Sequence, residues 1–334
     1  MKKTVCFGEI LLRFSPLQNE ESFEHQTMPF FVGGAELNVA NALAKWQIPV
    51  AYCTAMPEGF LSENIKQYLA AKQIDVSPIH QSGKRMGIYY LQQGTDVKNA
   101  GVVFDRENSS FACLQVGMID WRTVFKGATW FHFSAIAASL TQNATDVCIE
   151  ALEVAQELGL TISIDLNYRN KLWQYGKKPV EIIPQLVAYC DVVMGNLWAA
   201  NKLLGTEILL DDDINASQSE YISAAKKSIE SIKSQYPKVK TIAYTFRFDA
   251  HYWAVLHQEN QLFISKTREI GNVIDKVGSG DCFMAGLIYG IQNQQSSQDI
   301  IDFASAAAVG KLYEKGDYTK QTVEEIRERI TSVE

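Results

Sequence analysis

The sequence predicts an α/β fold: a mostly parallel central sheet, helices on both of its faces, and a small β-sheet lid. Three observations carry the prediction. Short β-branched or aromatic runs recur along the chain. Segments of helical period separate most of them, the alternation of a parallel sheet covered on both sides. Two excursions, about 9–33 and 85–112, carry strand-like runs with no helix between them.

In chain order, TVCF (4–7) is a first strand, and EILLRFSP (9–16) and FEHQTMPFFV (23–32) belong to the first excursion. LNVANALAKW (37–46) is a helix, VAYCT (50–54) a strand and LSENIKQYLAAKQ (61–73) a helix. MGIYYLQQ (86–93) and AGVVFDRE (100–107) form the second excursion. The alternation then resumes through TWFHFS (129–134), the helix over 143–159, TISIDL (161–166) and DVVMG (191–195). After a polar loop over 209–220 come the helix over 221–236 and the strand TIAYT (241–245). Helices close the chain: one from Ser279, one over 297–315, and one opened by Thr322 with Glu325 as a capping box. The two excursions make either an ordinary antiparallel edge or a lid over a site. No composition shift divides the chain, so 1–334 reads as one domain with this β layer attached.

With 47% hydrophobic residues the 334-residue chain has material for a sizeable core. A net charge of −7 without Lys/Arg runs argues against nucleic acid or an anionic membrane as partner, so any anionic substrate must be gripped locally. Six scattered cysteines without a C-x-x-C pair, and five histidines without H-E-x-x-H spacing, fit reduced thiols, a cytoplasmic setting and no Cys/His metal cage. The apolar stretch near the N-terminus is interrupted by Gly8 and Glu9, and no run reaches the ~20 residues of a membrane span.

The segment DKVGSGDCFMAGLIYG (275–290) carries the chemistry. Gly278 and Gly280 permit backbone angles that turn successive N–H groups into a nest, and a helix beginning at Ser279 adds its unpaired amides and positive dipole end. Asp281 then has two readings. It is a helix N-terminal carboxylate, favoured by ~0.3–1 kcal/mol, or a general base facing an acceptor hydroxyl while the amides stabilise a transferred phosphoryl group. Gly286 and Gly290 let this helix approach a neighbour, and Cys282 reads as core.

DKVGSGDCF resembles the C-terminal signature of the ribokinase/PfkB carbohydrate kinases, D-x-V-G-A-G-D-x-F, with Ser279 in place of alanine. VGGAELNVANALAKW (32–46) resembles their N-terminal signature. Within the family, Glu9 in FGEILLRFSP, Glu36 in GGAELN, Tyr89 in MGIYY, Arg106 in FDRENSS, Arg169 in DLNYRNKLW and Asp317 in EKGDY are similar to 2-keto-3-deoxygluconate kinases. The resemblance spans essentially the whole chain. It implies a ribokinase-like three-layer α/β/α fold and ATP-dependent phosphorylation of a sugar acid, with Mg²⁺ accompanying the nucleotide. A neutral-sugar kinase such as fructokinase, or a non-catalytic sugar-binding homologue, is the alternative.

The same resemblance implies roles. Gly278, Ser279, Gly280 and Asp281 are catalytic; Gly33, Gly34, Asn38, Tyr89, Phe104, Arg106, Ile136, Arg169 and Asp317 face the sugar. Asn167, Asn196, Thr245 and Arg247, with Gly278 and Gly280, face the nucleotide, and no side chain is assigned to a metal. On chemistry alone, Arg106 is either a bidentate carboxylate clamp or a solvated edge charge. Asp165 and Asn167, at a strand's carboxyl end, are either ligands or loop caps. Two departures lie on the nucleotide side: Ala199 stands where the family's N-x-x-E has glutamate, and Arg247 stands where it has glycine. There is no P-loop. Exposed lid edges imply a homodimer or higher homo-oligomer.

Overall fold

The computed structural model describes residues 2–17, 21–92, 101–208, 210 and 216–331. Residues 93 and 100, at the ends of two expected lid strands, and most of the polar loop expected over 209–220 lie outside them.

The central sheet runs in the order Gln261–Ile264, His251–Gln258, Thr241–Arg247, Val192–Gly195, Thr161–Asp165, Ala128–Ser134, Lys3–Phe7, Val50–Met56, Ile74–Asp75. Every pairing from Ile74–Asp75 to Thr241–Arg247 is parallel. The sequence pattern explains this: all seven residues of Val50–Met56 are buried, as strands covered on both faces require. Helices Gln142–Glu157, Pro179–Val187, Leu197–Leu204 and Gln218–Gln235 build the core on one face. Ala35–Lys45, Ser279–Gln292, Ser297–Lys311 and Val323–Thr331 build the core on the other. Close packing of two of these is set by Gly286, where an added Cβ would lie 2.6 Å from the Ala304 Cα. The capping box at the last helix is present: Glu325 accepts from the Thr322 N–H at 2.7 Å, and Thr322 Oγ1 from the Glu325 N–H at 3.2 Å.

A separate four-stranded sheet has the order Phe30–Gly33, Leu11–Phe14, Gly87–Tyr90, Val103–Asp105, drawn from both excursions. Its central pair is parallel and its outer pairs antiparallel. Leu11 and Tyr89 on its inner face pack with Val277, just ahead of the Ser279–Gln292 helix, so the small sheet covers that helix's start.

Arg247, which stands where the family pattern has glycine, is the last residue of a central strand. Thr241–Arg247 runs on into an antiparallel hairpin with His251–Gln258, fastened by Phe246 stacked on Trp253 at 4.0 Å. A second turn follows with Glu259 and Asn260 both at positive φ, 52° and 60°, as a two-residue turn between twisted strands requires.

Candidate active site

Every element that ends near the lid contributes to one cavity of about 820 Å³. Its floor is the start of the Ser279–Gln292 helix. Gly278 caps that helix at φ 83°, ψ −4°, the left-handed region. An added Cβ there would lie 1.8 Å from the Asp317 carbonyl oxygen, so only glycine fits between the two loops. The first helical backbone bond is Cys282 N–H to Gly278 O, which leaves the amides of Ser279, Gly280 and Asp281 ahead of the ladder. Ser279 turns its hydroxyl away, donating to Ala308 O at 2.9 Å, and so offers the site its backbone alone. At Gly280 an added Cβ would meet nothing within 4 Å, so space for a ligand opens there.

Asp281 stands over this nest, buried at 8% exposure, and its Oδ2 accepts from Asn38 Nδ2 at 2.7 Å. Burial pushes its carboxyl up to about 8. The Asn38 bond opposes that rise, the charges of Asp165 and Glu36 add to it, and Arg169 opposes it. Glu36 is itself buried and raised to about 7 by desolvation, although it accepts from both the N–H and the hydroxyl of Ser134. A buried aspartate poised near neutrality at an anion-binding helix start has the properties of a general base. In the free enzyme the acidic limb of kcat/KM is therefore expected near pH 8. Asn38→Ala, which removes a bond to the charged form, is expected to move that limb up by about one unit; an unmoved limb in a pH–rate profile would assign it to another group.

Of the residues singled out in the sequence, Gly34, Asn38, Tyr89, Phe104, Arg106, Ile136, Asn167, Arg169, Asn196, Thr245, Arg247, Gly278, Ser279, Gly280 and Asp281 all line this cavity. Gly33 and Asp317 stand behind its wall. An added Cβ at Gly33 would lie 2.2 Å from Asp317 Oδ2, and that carboxylate accepts from the Tyr89 hydroxyl at 3.2 Å. Arg106 is buried and directs Nε and Nη2 onto Glu9 Oε2, both at 2.5 Å, so it is neither solvated nor unpartnered. Asp165 Oδ1 accepts from the Asn167 N–H at 3.0 Å, the loop-capping geometry, while both residues remain in the lining.

On the opposite side, Asn196 caps the Leu197–Leu204 helix, its Oδ1 accepting from the Ala199 N–H at 2.8 Å. The Ala199 methyl belongs to the hydrophobic core, so the departure from N-x-x-E exchanges a carboxylate for packing. Arg247 ends its strand at the cavity, joined there by Lys171, Lys202, Lys276 and the half-exposed Trp198. Among the described residues no three His, Cys, Asp or Glu side chains converge on a possible metal position. Mg²⁺ bound with a nucleotide would draw ligands from the phosphates and water rather than from such a cluster of described residues.

Two groups of supporting residues escaped the sequence reading. Arg13 is buried between Asp317, 2.8 Å from Nε, and Asp275, 2.7 Å from Nη2, with the Phe31 ring 4.3 Å from its guanidinium carbon. Asp275 also accepts from the amides of Val277 and Gly316, tying together the two loops that meet at Gly278. The signal was there: Arg13 occupies an inward position of a lid strand, in register with Tyr89. Beneath the loops lies Lys311, wholly buried, its Nζ donating to Glu314 O at 3.0 Å. Its place on the apolar stripe of AAAVGKLY, four residues after Ala307, marks it as inward-facing.

The sequence pattern defining the pfkB family carbohydrate kinases matches residues 1–323. The chain belongs to the pfkB family of carbohydrate kinases. It is 25% identical to the 2-dehydro-3-deoxygalactonokinase of Haloferax volcanii over 98% of this chain and 95% of that protein. It is 25% identical to the 2-dehydro-3-deoxygluconokinase of Bacillus subtilis over 94% and 90%. The crystal structure of the 2-dehydro-3-deoxygluconokinase of Thermotoga maritima superposes with a TM-score of 0.88 at 31% identity, covering 99% of this chain and 100% of that one. The fold is thus ribokinase-like with a small β lid, as the sequence suggested, and the protein is a sugar kinase of a family that uses ATP. No helix of the described residues is long and apolar enough to cross a membrane.

Proposed function

We propose that this pfkB-family kinase transfers the γ-phosphoryl group of ATP to the primary C6 hydroxyl of a 2-keto-3-deoxy sugar acid, 2-keto-3-deoxy-D-gluconate in the first instance. The single observation that carries the proposal is Asp281: a buried carboxylate held by Asn38 and raised to about 8, at the rim of an amide nest open at Gly280. In this reading Asp281 takes the hydroxyl proton as the sugar oxygen bonds to the γ-phosphorus. The bond from that phosphorus to the β–γ bridging oxygen breaks, and ADP leaves. The amides of Ser279, Gly280 and Asp281 receive the charge spread over the transferring group, and the lid excludes water that would otherwise hydrolyse ATP. Mg²⁺ bound with the nucleotide would neutralise phosphate charge. Lys202 and Arg247 supply fixed positive charge from the chain itself at the cavity.

The acid end of the substrate calls for cations. Arg169 and Lys171 line the cavity beside the lid residues Tyr89, Phe104 and Arg106. The relatives named for 2-dehydro-3-deoxy sugar acids support this choice. The Arg106–Glu9 pair favours a second reading. With both partners buried and mutually neutralised, that wall also suits a neutral sugar such as fructose. Arg169→Ala separates the two readings. It is expected to raise KM for the keto-deoxy acid about tenfold or more, the effect of losing a charge-assisted bond, while leaving any activity on fructose unchanged. Equal effects on both substrates, in steady-state assays of ADP release, would remove Arg169 as the carboxylate contact.

A further inference from the structure

A second cavity, of about 730 Å³, lies behind the wall that holds Asp317, between the lid strand Phe30–Gly33, the helices Ala35–Lys45 and Phe60–Ala70, and the 315–320 segment. Four lysines line it: Lys45, Lys72, Lys315 and Lys320. Among the described residues none of the four ammonium groups has a carboxylate within 4 Å, although the Lys320 backbone N–H donates to Glu314 Oε1 at 2.9 Å. Asp317 is the sole acid of the lining among the described residues, and its carboxylate is already engaged by Arg13 and Tyr89. Lys72 is half-buried with its ammonium 4.9 Å from the Tyr68 ring centre and 4.6 Å from that of Tyr318. Burial and the charges of Lys320 and Lys45 lower its pKa, as expected where like charges converge. A chain of net charge −7 that gathers four ammonium groups without an ion-pair partner around one concavity has built a local positive potential that an anion would relieve.

We propose that this cavity is a regulatory site for a small phosphate ester. Its volume is that of a metabolite pocket. Lysines, as point charges, suit a tetrahedral phosphate, whereas a planar carboxylate would call for an arginine fork. The two tyrosines offer faces for the ring of a sugar or a base. The link to the active site is covalent and short. Lys315, Tyr318 and Lys320 flank Gly316, which donates to Asp275 at 3.2 Å, and Asp317, whose carbonyl abuts Gly278. An anion that draws these lysines together repositions the segment that holds Tyr89, Arg13 and the phosphate nest.

The test is calorimetric titration of the full chain with inorganic phosphate, glucose 6-phosphate and AMP, in wild type and in Lys72→Met/Lys320→Gln. At least one probe is expected to bind the wild type at least tenfold more tightly than the variant. A glucose 6-phosphate preference marks the ligand as a sugar phosphate, an AMP preference marks it as a nucleotide, and equal binding of all three marks the phosphate group alone as recognised. Unchanged affinity of the variant for all three probes overturns the site. The binding arm is independent of the reaction assigned above, and the kinetic arm rests on it. The tightest probe is expected to change the sugar KM at least threefold in wild type and not in the variant, with basal kcat and melting temperature the same in both. Binding with no change in KM overturns the regulatory role.

Discussion

Asp281→Asn is expected to lower kcat by about 10²–10⁴-fold, the range that a positioned general base contributes, and to leave the protein at least as stable as wild type. Asparagine keeps the shape and can still meet Asn38, but it has no lone-pair base to accept the hydroxyl proton. The stability half has a definite sign. Burial raises the folded-state pKa of Asp281 from the ordinary aspartate value of 3.8 to about 8. Between those pH values the folded protein binds the proton that the unfolded chain has released, so the aspartate's contribution to stability falls as pH rises through the window and levels off above 8. Melting temperatures of wild type and Asp281→Asn are therefore expected to coincide near pH 4 and to diverge, with the variant higher, up to pH 8. Glu36, raised to about 7, remains in both proteins and bends both curves, so the Asp281 contribution is read from the difference between them. A variant that retained most of its kinase activity would end the assignment of the base.

The second large effect comes from the nest. Gly278→Ala forces a Cβ into the left-handed region, which alone costs about 1–2 kcal/mol, and against the Asp317 carbonyl at 1.8 Å. The 315–317 loop has to move, and with it the Arg13–Asp317–Tyr89 arrangement. Both stability and turnover are expected to fall sharply. Gly280→Ala is the informative contrast. Its Cβ meets nothing within 4 Å, and alanine favours the helix, so the melting temperature should hold or rise. The new methyl nevertheless occupies the phosphoryl space, and kcat/KM for ATP is expected to drop tenfold or more. If both variants melted alike and turned over alike, the open face at Gly280 would not be where phosphate sits.

Much of this was legible from residue order. The strands TVCF, VAYCT, TWFHFS, TISIDL, DVVMG and TIAYT all fall on central strands, because side chains buried on both faces leave a continuous apolar run. The helix start at Ser279 was legible because Gly278 and the first-turn Asp281 are local signals. What stayed hidden depends on tertiary approach. The hairpin after Thr245 turns through Phe248, Asp249 and Ala250, of which only Asp249 is a turn-forming residue by type. The helices Pro179–Val187 and Leu197–Leu204 are short, and the first carries an internal proline, Pro184, which by type reads as a helix breaker. Glu9 was in view but its capture of Arg106, 97 residues away, was not, and neither was the salt-bridged Arg13 nor the buried Lys311. Such pairs are made by elements that only the fold brings together.

A base and an amide nest serving a sugar acid predict a clear order among substrates. With ATP and Mg²⁺, kcat/KM for 2-keto-3-deoxygluconate is expected to exceed that for fructose and ribose by about 10²-fold or more, as loss of a charge-assisted contact predicts, with ³¹P spectroscopy of the product showing a phosphate monoester on a primary carbon. Equal or faster turnover of fructose, or phosphate carried at a secondary hydroxyl, would contradict it.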